Sequence, residues 1–362
     1  MNLVNNTLLQ GGKYKIVRYI SSGGFGCTYE GELVLLHKRV AIKEFFVKDF
    51  CNRDKQTSHV TVGTQSKLKL VEHLQNKFLE EAGALYSMQH QNIVRVTDVF
   101  EENGTAYYVM DYIDGESLQQ KVKNGGALSE TIALKYIRQI ADALKYVHAQ
   151  NRLHLDIKPG NIMVNSMDNA ILIDFGASKQ YDEVDGENTS TLLGKTPGFA
   201  PIEQMSNNVK QFTPATDIYS LGATLYKLLT GNTPPDATEI FNEGLEELPE
   251  SISRSTNYAV MKAMELRVKN RPQTIDSFLE MLDNTAFEST PILDVDKKEN
   301  VVEKNPTSKE CPQIEESITD DCEETQIALE YDVIMSNEHA VDLGLSVKWC
   351  DLNLGTNKES GF

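Results

Sequence analysis

The stretch His154-Leu155-Asp156-Ile157-Lys158-Pro159-Gly160-Asn161, with Asp174-Phe175-Gly176 shortly after it, leaves little choice to the chain on either side. Asp156 supplies a carboxylate able to accept a proton and Lys158 an ammonium able to steady a moving anion, while Asn161 and Asp174 supply the oxygen donors that suit a hard cation. Groups of this kind act only when held in fixed geometry, so the surrounding sequence has to build a rigid support. Upstream, Ser129 is a candidate N-cap for a helix reaching about Ala149, in which Ile132, Tyr136, Ile137, Ile140, Ala143, Leu144 and Val147 form a wide apolar stripe. A stripe of that width is core, and it braces the polar loop that follows. Downstream, Ile162-Met163-Val164 and Ile171-Leu172-Ile173 read as a short hairpin, which brings Asn161 and Asp174 close together.

These are the parts that phosphoryl transfer uses, a reaction in which the protein contributes positioning and charge stabilisation more than covalent chemistry. At 362 residues the chain is long enough to bury a large core in two or three domains or lobes. It has no apolar run of membrane-spanning length, and Met1 to Gln10 lack the pattern of a signal peptide, so a cytoplasmic protein is expected. Cys27, Cys51, Cys311, Cys322 and Cys350 show neither paired spacing nor a neighbouring histidine, which points to a reduced compartment and away from a zinc site. The net charge of −18 argues against a nucleic-acid partner. It is unevenly spread, because residues 286–362 carry 18 Asp and Glu against 6 Lys and Arg.

Residues 13–43 read as a strand meander, with Tyr14, Ile16, Arg18 and Ile20 on one parity, a small-residue turn at Ser21-Ser22-Gly23-Gly24-Phe25-Gly26, then Thr28 to Leu36 and Val40-Ala41-Ile42-Lys43. Taken alone, such a turn is a hairpin, and Lys43 either ends its strand in solvent or finds an anionic partner. From about Ser66 a helical pattern runs through Val71, Leu74, Phe78, Glu81 and Leu85, which sets Glu81 on the apolar face. Glu81 is then either solvated at the stripe's edge or paired with a cation, for which Lys43 is the candidate. The polar stretch from Glu44 to Lys77 is long for a connection, and part of it is expected to be a mobile insertion.

Two β-rich runs, Ile93 to Phe100 and Tyr107 to Tyr112, flank the turn Glu102-Asn103-Gly104 and complete a lobe of five strands and one main helix. Asp114-Gly115-Glu116-Ser117 breaks the pattern as a hinge would, after which the composition turns helical. Residues 177–198 read as a mobile surface segment. Further helices are expected from Asp217 to about Thr230, ended by Gly231-Asn232-Thr233-Pro234-Pro235, near Thr256 to Glu265, and from Ile275 to Leu282. Beyond Ala286 the sequence is acidic and rich in Ser and Thr, as an unfolded tail would be at least to Thr325.

From Tyr14 to about Leu282 the order of these motifs resembles a eukaryotic-like bacterial Ser/Thr protein kinase, and the combination of the glycine turn with Val-Ala-Ile-Lys, His-x-Asp-x-Lys-x-x-Asn and Asp-Phe-Gly is highly specific. The resemblance implies an α+β, two-lobed fold, with a small five-stranded lobe and a larger helical lobe, and an acidic, flexible C-terminal tail. It divides the chain into an N-terminal extension (1–13), a kinase domain (14–284, lobes meeting near 113), an acidic linker (285–330) and a short module (331–362) read as truncated. The last of these contains Val341 to Trp349, similar to a short motif of bacterial multidomain proteins.

The implied cofactors are ATP and Mg²⁺, and the implied partner is a protein bearing Ser or Thr. Ser21, Ser22, Gly23, Gly24, Phe25 and Gly26 would cover the ATP phosphates. Lys43 would contact the α and β phosphates and pair with Glu81. Met110 would be the gatekeeper before hinge residues Asp111 to Ile113. Asp156 would orient or deprotonate the substrate hydroxyl, Lys158 would steady the γ-phosphate, and Asn161 with Asp174 would hold the metal. The resemblance also pairs Glu203 with Arg271 and sets Asp217 beneath the catalytic loop.

The sequence departs from the family pattern at four places: Ser21 replaces the first glycine of the turn, Thr28 replaces a valine, the connection from Lys43 to Glu81 is long, and Leu155 replaces the arginine before Asp156. In the family that arginine binds a phosphate in the activation segment, so Leu155 makes this a non-RD chain, in which activity is expected not to require phosphorylation of Thr189, Ser190 or Thr191. A catalytically dead scaffold and a small-molecule kinase are the alternatives. The presence of every reacting residue weighs against the first, and the segment around Thr196 with the Glu203–Arg271 pairing weighs against the second.

Overall fold

The computed structural model describes residues 2–23, 26–175, 179–180, 196–205 and 212–284, the pair 179–180 by backbone alone. Gly24, Phe25, Gly176, the sites Thr189 to Thr191 and the tail from 285 lie outside the described residues. In the small lobe the elements are β1 (Leu8–Leu9), β2 (Tyr14–Ser22), β3 (Gly26–Leu33), β4 (Lys38–Phe45), β5 (Cys51–Arg53), β6 (Val60–Val62), α1 (Leu68–Ser87), β7 (Val96–Glu102) and β8 (Thr105–Asp111). Their main sheet runs in the order β1-β2-β3-β4-β8-β7. Strand alternation gives each face its own chemistry. On β4, Lys43 lies opposite Tyr108 on the face covered by α1, whereas Glu44 lies opposite Tyr107 on the other face.

The expected five strands are β2, β3, β4, β7 and β8, and β1 adds a sixth from the segment before Tyr14. Two residues are too few to carry a periodic signal, but Leu3 and Leu9 are buried there and the Asn6 amide donates to Ile16 O. The stretch after Glu44, read from its polarity as partly a mobile insertion, is folded as the β5–β6 hairpin. Between Cys51 and Val62 the polar sequence conceals two buried apolar residues, Cys51 and Val60, and an arginine whose charge is matched inside the lobe. Helix α1 then starts at Leu68 after a 3-10 turn over Gln65–Lys67.

The larger lobe contains β9 (Gly115–Ser117), α2 (Leu118–Gly125), α3 (Glu130–His148), β10 (Arg152–Leu153), β11 (Ile162–Asn165), β12 (Ala170–Leu172), β13 (Lys179–Gln180), α4 (Ile202–Met205), α5 (Pro214–Thr230), α6 (Ala237–Glu243), α7 (Arg254–Ala263) and α8 (Ile275–Asp283). The break expected at Asp114–Ser117 is shorter than that. Only 112–114 lack regular structure, because Gly115–Ser117 pair with β11 and the Ser117 hydroxyl caps α2 by accepting from the Gln120 amide. Ser129 stands at the N-cap of α3, though its side chain makes no capping bond. Helix α5 begins before Asp217, is buried on every side from Ala215 to Leu229, and ends at Gly231 with φ of 75°. A helix apolar all round belongs at the centre of a lobe, and α3, α7 and α8 pack around it. The short α6 carries too few apolar residues to show a period.

The two lobes share backbone pairing near the site. Asn92 O accepts from the Leu172 amide at 2.8 Å, and Leu172 O accepts from the Val94 amide at 2.9 Å. The strand that leads to Asp174 is thereby tied to the small lobe.

Candidate active site

Asp217, in the first turn of α5, organises the loop between β10 and β11. Its buried carboxylate accepts from the amides of His154 at 2.9 Å and Leu155 at 2.8 Å and shares a hydrogen bond with His148 Nε2 at 2.8 Å. Burial alone would raise this carboxyl, but the hydrogen bond and charge of His148, with the backbone hydrogen bond from His154, hold it below the usual aspartate range. The bonds matter because Leu155 has φ of +65°, a left-handed conformation that costs a leucine about 1–2 kcal/mol. Gln204 Nε2 adds a third tie by donating to Leu155 O at 2.8 Å. The Leu155 side chain packs with Leu153 and Phe212 in a small buried cluster, so an apolar contact occupies the position of the family's arginine. His154 lies against Phe175 with ring centroids 4.4 Å apart, and its Nδ1 accepts from the Asp156 amide at 3.2 Å. Burial lowers the His154 pKa and keeps the ring neutral, which suits an accepting Nδ1.

With the backbone so fixed, Asp156 stands at the centre of a polar cluster. Lys158 Nζ donates to Asp156 Oδ1 at 2.9 Å, and Asn161 Nδ2 donates to Asp156 Oδ2 and to Asp156 O, each at 2.8 Å. Thr196 Oγ1 accepts from Lys158 Nζ at 2.8 Å and donates to Asp156 Oδ1 at 3.1 Å. A hydroxyl thus already occupies a hydrogen-bonding position on this carboxylate. The hairpin expected from the sequence forms, with Ile162 opposite Leu172, and the Ile173 amide donates to Asn161 O at 2.9 Å. Asp174 follows with φ of +63°, turning the chain out of the strand beside Asn161.

Across the cleft Lys43 joins both lobes. Its Nζ donates to Asp174 Oδ1 at 2.6 Å and to Glu81 Oε1 at 3.3 Å, and Tyr108 OH also donates to Glu81 Oε1, at 3.0 Å. Burial would lower the lysine pKa, but the charges of Asp174 and Glu81 outweigh it and hold the ammonium well above the ordinary range. Burial pushes the Glu81 carboxyl up, against the pull of Lys43. The alternatives left open for these two side chains are resolved in favour of the pair. Lys43 is closer to Asp174 than to Glu81, so this ammonium is shared between a small-lobe and a large-lobe carboxylate.

At the glycine turn, Ser21 pairs with Thr28 and Ser22 with Cys27 across β2 and β3, and the Gly23 amide donates to Gly26 O at 2.9 Å. Ser22 Oγ accepts from Lys48 Nζ at 2.6 Å. Gly26 has a structural reason to be glycine, since a Cβ there would stand 2.1 Å from Glu44 O. At the hinge, Met110 is buried between Ala41 and Val96, and the Asp111 carboxylate accepts from Lys38 Nζ at 2.6 Å. Ile113 packs partly buried against the core. Sequence reasoning did not single out Tyr108, His148 or Gln204 as contributors. Tyr108 lies opposite Lys43 in register and could have been found by pairing the strands, whereas nothing in the sequence marks Gln204.

Behind the site, Glu203 and Arg271 form a buried bidentate pair at 2.6 and 3.0 Å. No helix among the described residues is long and apolar enough to cross a membrane.

The two-lobed fold thus sets Lys43 and Glu81 of the small lobe against Asp174 of the large one. Residues 14–299 match the family model described as protein kinase domain. Serine/threonine-protein kinase B of Synechocystis sp. is 31% identical, over 78% of this chain and 48% of that protein. Serine/threonine-protein kinase PrkC of Bacillus subtilis is 29% identical, over 77% and 41% respectively. A solved structure titled "PpkA-294 apo form" matches with a TM-score of 0.68 and 28% identity, covering 78% of this chain and 99% of that one. The chain belongs to the protein kinase family, in its eukaryotic-like bacterial branch. It spans under half the length of those two curated relatives.

Asn161 and Asp174 offer hard oxygen donors of the kind that Mg²⁺ takes. With the Asn161 nitrogen bonded twice to Asp156, its carbonyl oxygen is the end left for a cation. Among the described residues no three His, Cys, Asp or Glu converge as a self-sufficient metal site. A cation bound through Asn161 and Asp174 therefore draws part of its coordination from a ligand such as a phosphate, and the donor set fits.

Proposed function

We propose that this chain is a Ser/Thr protein kinase that transfers the γ-phosphate of ATP to a protein hydroxyl, with residues 14–284 as its catalytic domain. The observation that carries the reading is the Asp156 cluster, in which a lysine, an asparagine amide and a threonine hydroxyl converge on one carboxylate, together with the Lys43–Asp174 contact. In this reading Asp156 accepts the proton of the substrate hydroxyl as that oxygen attacks. Lys158, already within bonding distance of Asp156, meets the negative charge that develops on the transferring group. Lys43 holds the nucleotide phosphates, with Glu81 fixing its ammonium, and Ser21 to Gly26 cover them. Asp111 and Ile113 flank the nucleotide at the hinge. Mg²⁺, held by Asn161 and Asp174, supplies neutralisation of phosphate charge when bound.

Leu155 supports activity that is independent of activation-segment phosphorylation. The loop is held by Asp217, Gln204 and the Leu153–Leu155–Phe212 packing, none of which needs a phosphate. Incubation of the full chain with labelled ATP, Mg²⁺ and a generic basic protein tests the reading, with Asp174→Ala as control. Label on the protein in the wild type alone is expected. Equal labelling by both forms, or none by a folded wild type that binds ATP as a scaffold would, refutes it.

A further inference from the structure

The hairpin between β4 and α1 carries a buried ion pair that the catalytic roles above do not use. Glu44 follows Lys43 on β4 and points to the opposite face of the sheet, where it is fully buried. Its Oε2 accepts from Arg53 Nη2 at 2.6 Å and from Tyr29 OH at 2.9 Å, and its Oε1 accepts from Tyr107 OH at 2.7 Å. The Arg53 and Glu44 side chains are 3% and 0% exposed, so both ions have left water and depend on each other. Burial and the Glu44 charge push both tyrosine hydroxyls far up, so each remains a donor.

Arg53 is also fixed from its own side. Its Nη1 donates to Ser58 O across the hairpin turn at 2.9 Å, and its guanidinium lies 4.9 Å from the Phe46 ring centre. The hairpin is docked a second time where the Val60 amide donates to Asn103 O at 2.7 Å, at the turn joining β7 and β8. That turn in turn is held to β4, since Thr105 Oγ1 donates to Phe45 O at 2.5 Å. From Val62 the chain passes through one short turn into α1, and Lys67 in that turn lies 5.2 Å from the Phe50 ring centre. Lys43 and Glu81 are therefore the two ends of a segment whose middle is bolted to the outer face of the sheet that carries Lys43. Helix α1 itself meets that sheet through Phe78, against Phe45 and Tyr108, through the Tyr108 hydroxyl on Glu81 at 3.0 Å, and through Gln75 Nε2, which donates to Glu101 Oε1 at 3.3 Å. The apolar part of that contact tolerates sliding and its polar bonds act one at a time, whereas the Arg53–Glu44 ion pair is buried, bonded at both ends and has a single geometry.

We propose that Arg53 is a positioning residue: by clamping the β5–β6 hairpin to Glu44 it sets the register of α1, so that Glu81 meets Lys43 without any external activator. This rests on the reading of Lys43 and Glu81 as the pair that grips the nucleotide. The long connection that departs from the family pattern then has a task, which is to build this clamp into the chain.

The test is Arg53→Gln in the full chain, with hydrogen exchange and ATP kinetics read side by side. Exchange of the α1 amides, residues 68–87, is expected to rise at least tenfold while β2, β3 and α5 keep their protection. The KM for ATP is expected to rise about tenfold. Combining Arg53→Gln with Glu81→Gln is expected to add less than threefold to the loss caused by Glu81→Gln alone, because the pair is already loosened. Uniformly faster exchange across the small lobe, or multiplicative kinetic losses, would mean that Arg53 only stabilises the lobe, and the proposal falls. Should Arg53→Gln not fold, Arg53→Lys keeps a cation beside Glu44 but cannot bond Glu44 and Ser58 together, and the same exchange pattern decides. An inactive wild type whose α1 nonetheless loosens on substitution would overturn the kinase reading and leave the clamp standing.

Discussion

Truncation of Arg271 should destabilise this protein more than almost any other single change on the large lobe. Its guanidinium donates to Glu203 Oε1 and Oε2 at 2.6 and 3.0 Å, to Glu265 O at 2.6 Å, to Leu266 O at 2.9 Å and to Ala215 O at 3.2 Å. It also lies 4.9 Å from the Tyr219 ring centre, and its side chain is fully buried. Arg271→Ala would leave the buried Glu203 carboxylate without its guanidinium and would remove the bonds that Arg271 donates to the carbonyls of Glu265, Leu266 and Ala215. Removing one partner of a buried pair costs about 3–5 kcal/mol. At roughly 2–4 °C per kcal/mol for a domain of this size, Tm should fall by about 6–20 °C. Glu203→Gln keeps one acceptor oxygen for the guanidinium and leaves the carbonyl bonds of Arg271 in place, and should cost less. Calorimetry of both variants and of Arg271→Ala/Glu203→Gln decides, with the double variant expected to lose less than the two single losses combined. A fall of under about 3 °C for Arg271→Ala would refute the assignment of this pair as the chief tie between α4 and the helices behind it.

Other parts of the site lead to further expectations. Asp217→Ala removes the bonds that hold the amides of His154 and Leu155, so kcat should fall by about a hundredfold while ATP binding persists; unchanged turnover would show that Leu155 keeps φ of +65° without help. Replacing Thr189, Ser190 and Thr191 together by Ala should leave activity within about threefold, given the apolar packing of Leu155, and abolished activity in a folded protein would contradict this. Burial lowers the His154 pKa from its usual 6.5, so the unfolded chain binds the proton more readily. The stability that the neutral ring contributes is complete above pH 6.5 and is lost as pH falls below it. Tm should therefore drop between pH 7.5 and 5.5 more steeply in the wild type than in His154→Gln, and equal slopes would count against a buried neutral ring.

What the sequence made legible follows from the range over which each signal acts. Asp156, Lys158, Asn161 and Asp174 fall within one short segment, and the alternation of Ile162 to Val164 and Ile171 to Ile173 was enough to fold Asn161 back beside Asp174. Helix α3 was legible because its apolar stripe repeats over many turns. The Lys43–Glu81 contact was reachable because a charge on an apolar helix face demands a partner. The β5–β6 hairpin was not legible, since its strands are three residues each and its decisive residue, Arg53, reads as surface. Strand β1 was missed for the same reason of length. Gln204 acts through a bond that depends on tertiary placement, and its residue type does not announce such a role, whereas Tyr108 becomes legible only once β4 and β8 are paired.

The central claim is that Asp156 carries out proton abstraction at a nucleotide site built by Lys43, Glu81, Asn161 and Asp174. It is tested most directly by comparing the wild type with Asp156→Asn for phosphate transfer from labelled ATP to a protein substrate, followed by phosphoamino-acid analysis. The wild type should yield phosphoserine or phosphothreonine, and Asp156→Asn should lose turnover by about 10²–10⁴-fold while its Tm and its stabilisation by MgATP stay unchanged. Equal turnover in the two proteins, or label confined to a non-protein acceptor, would contradict it.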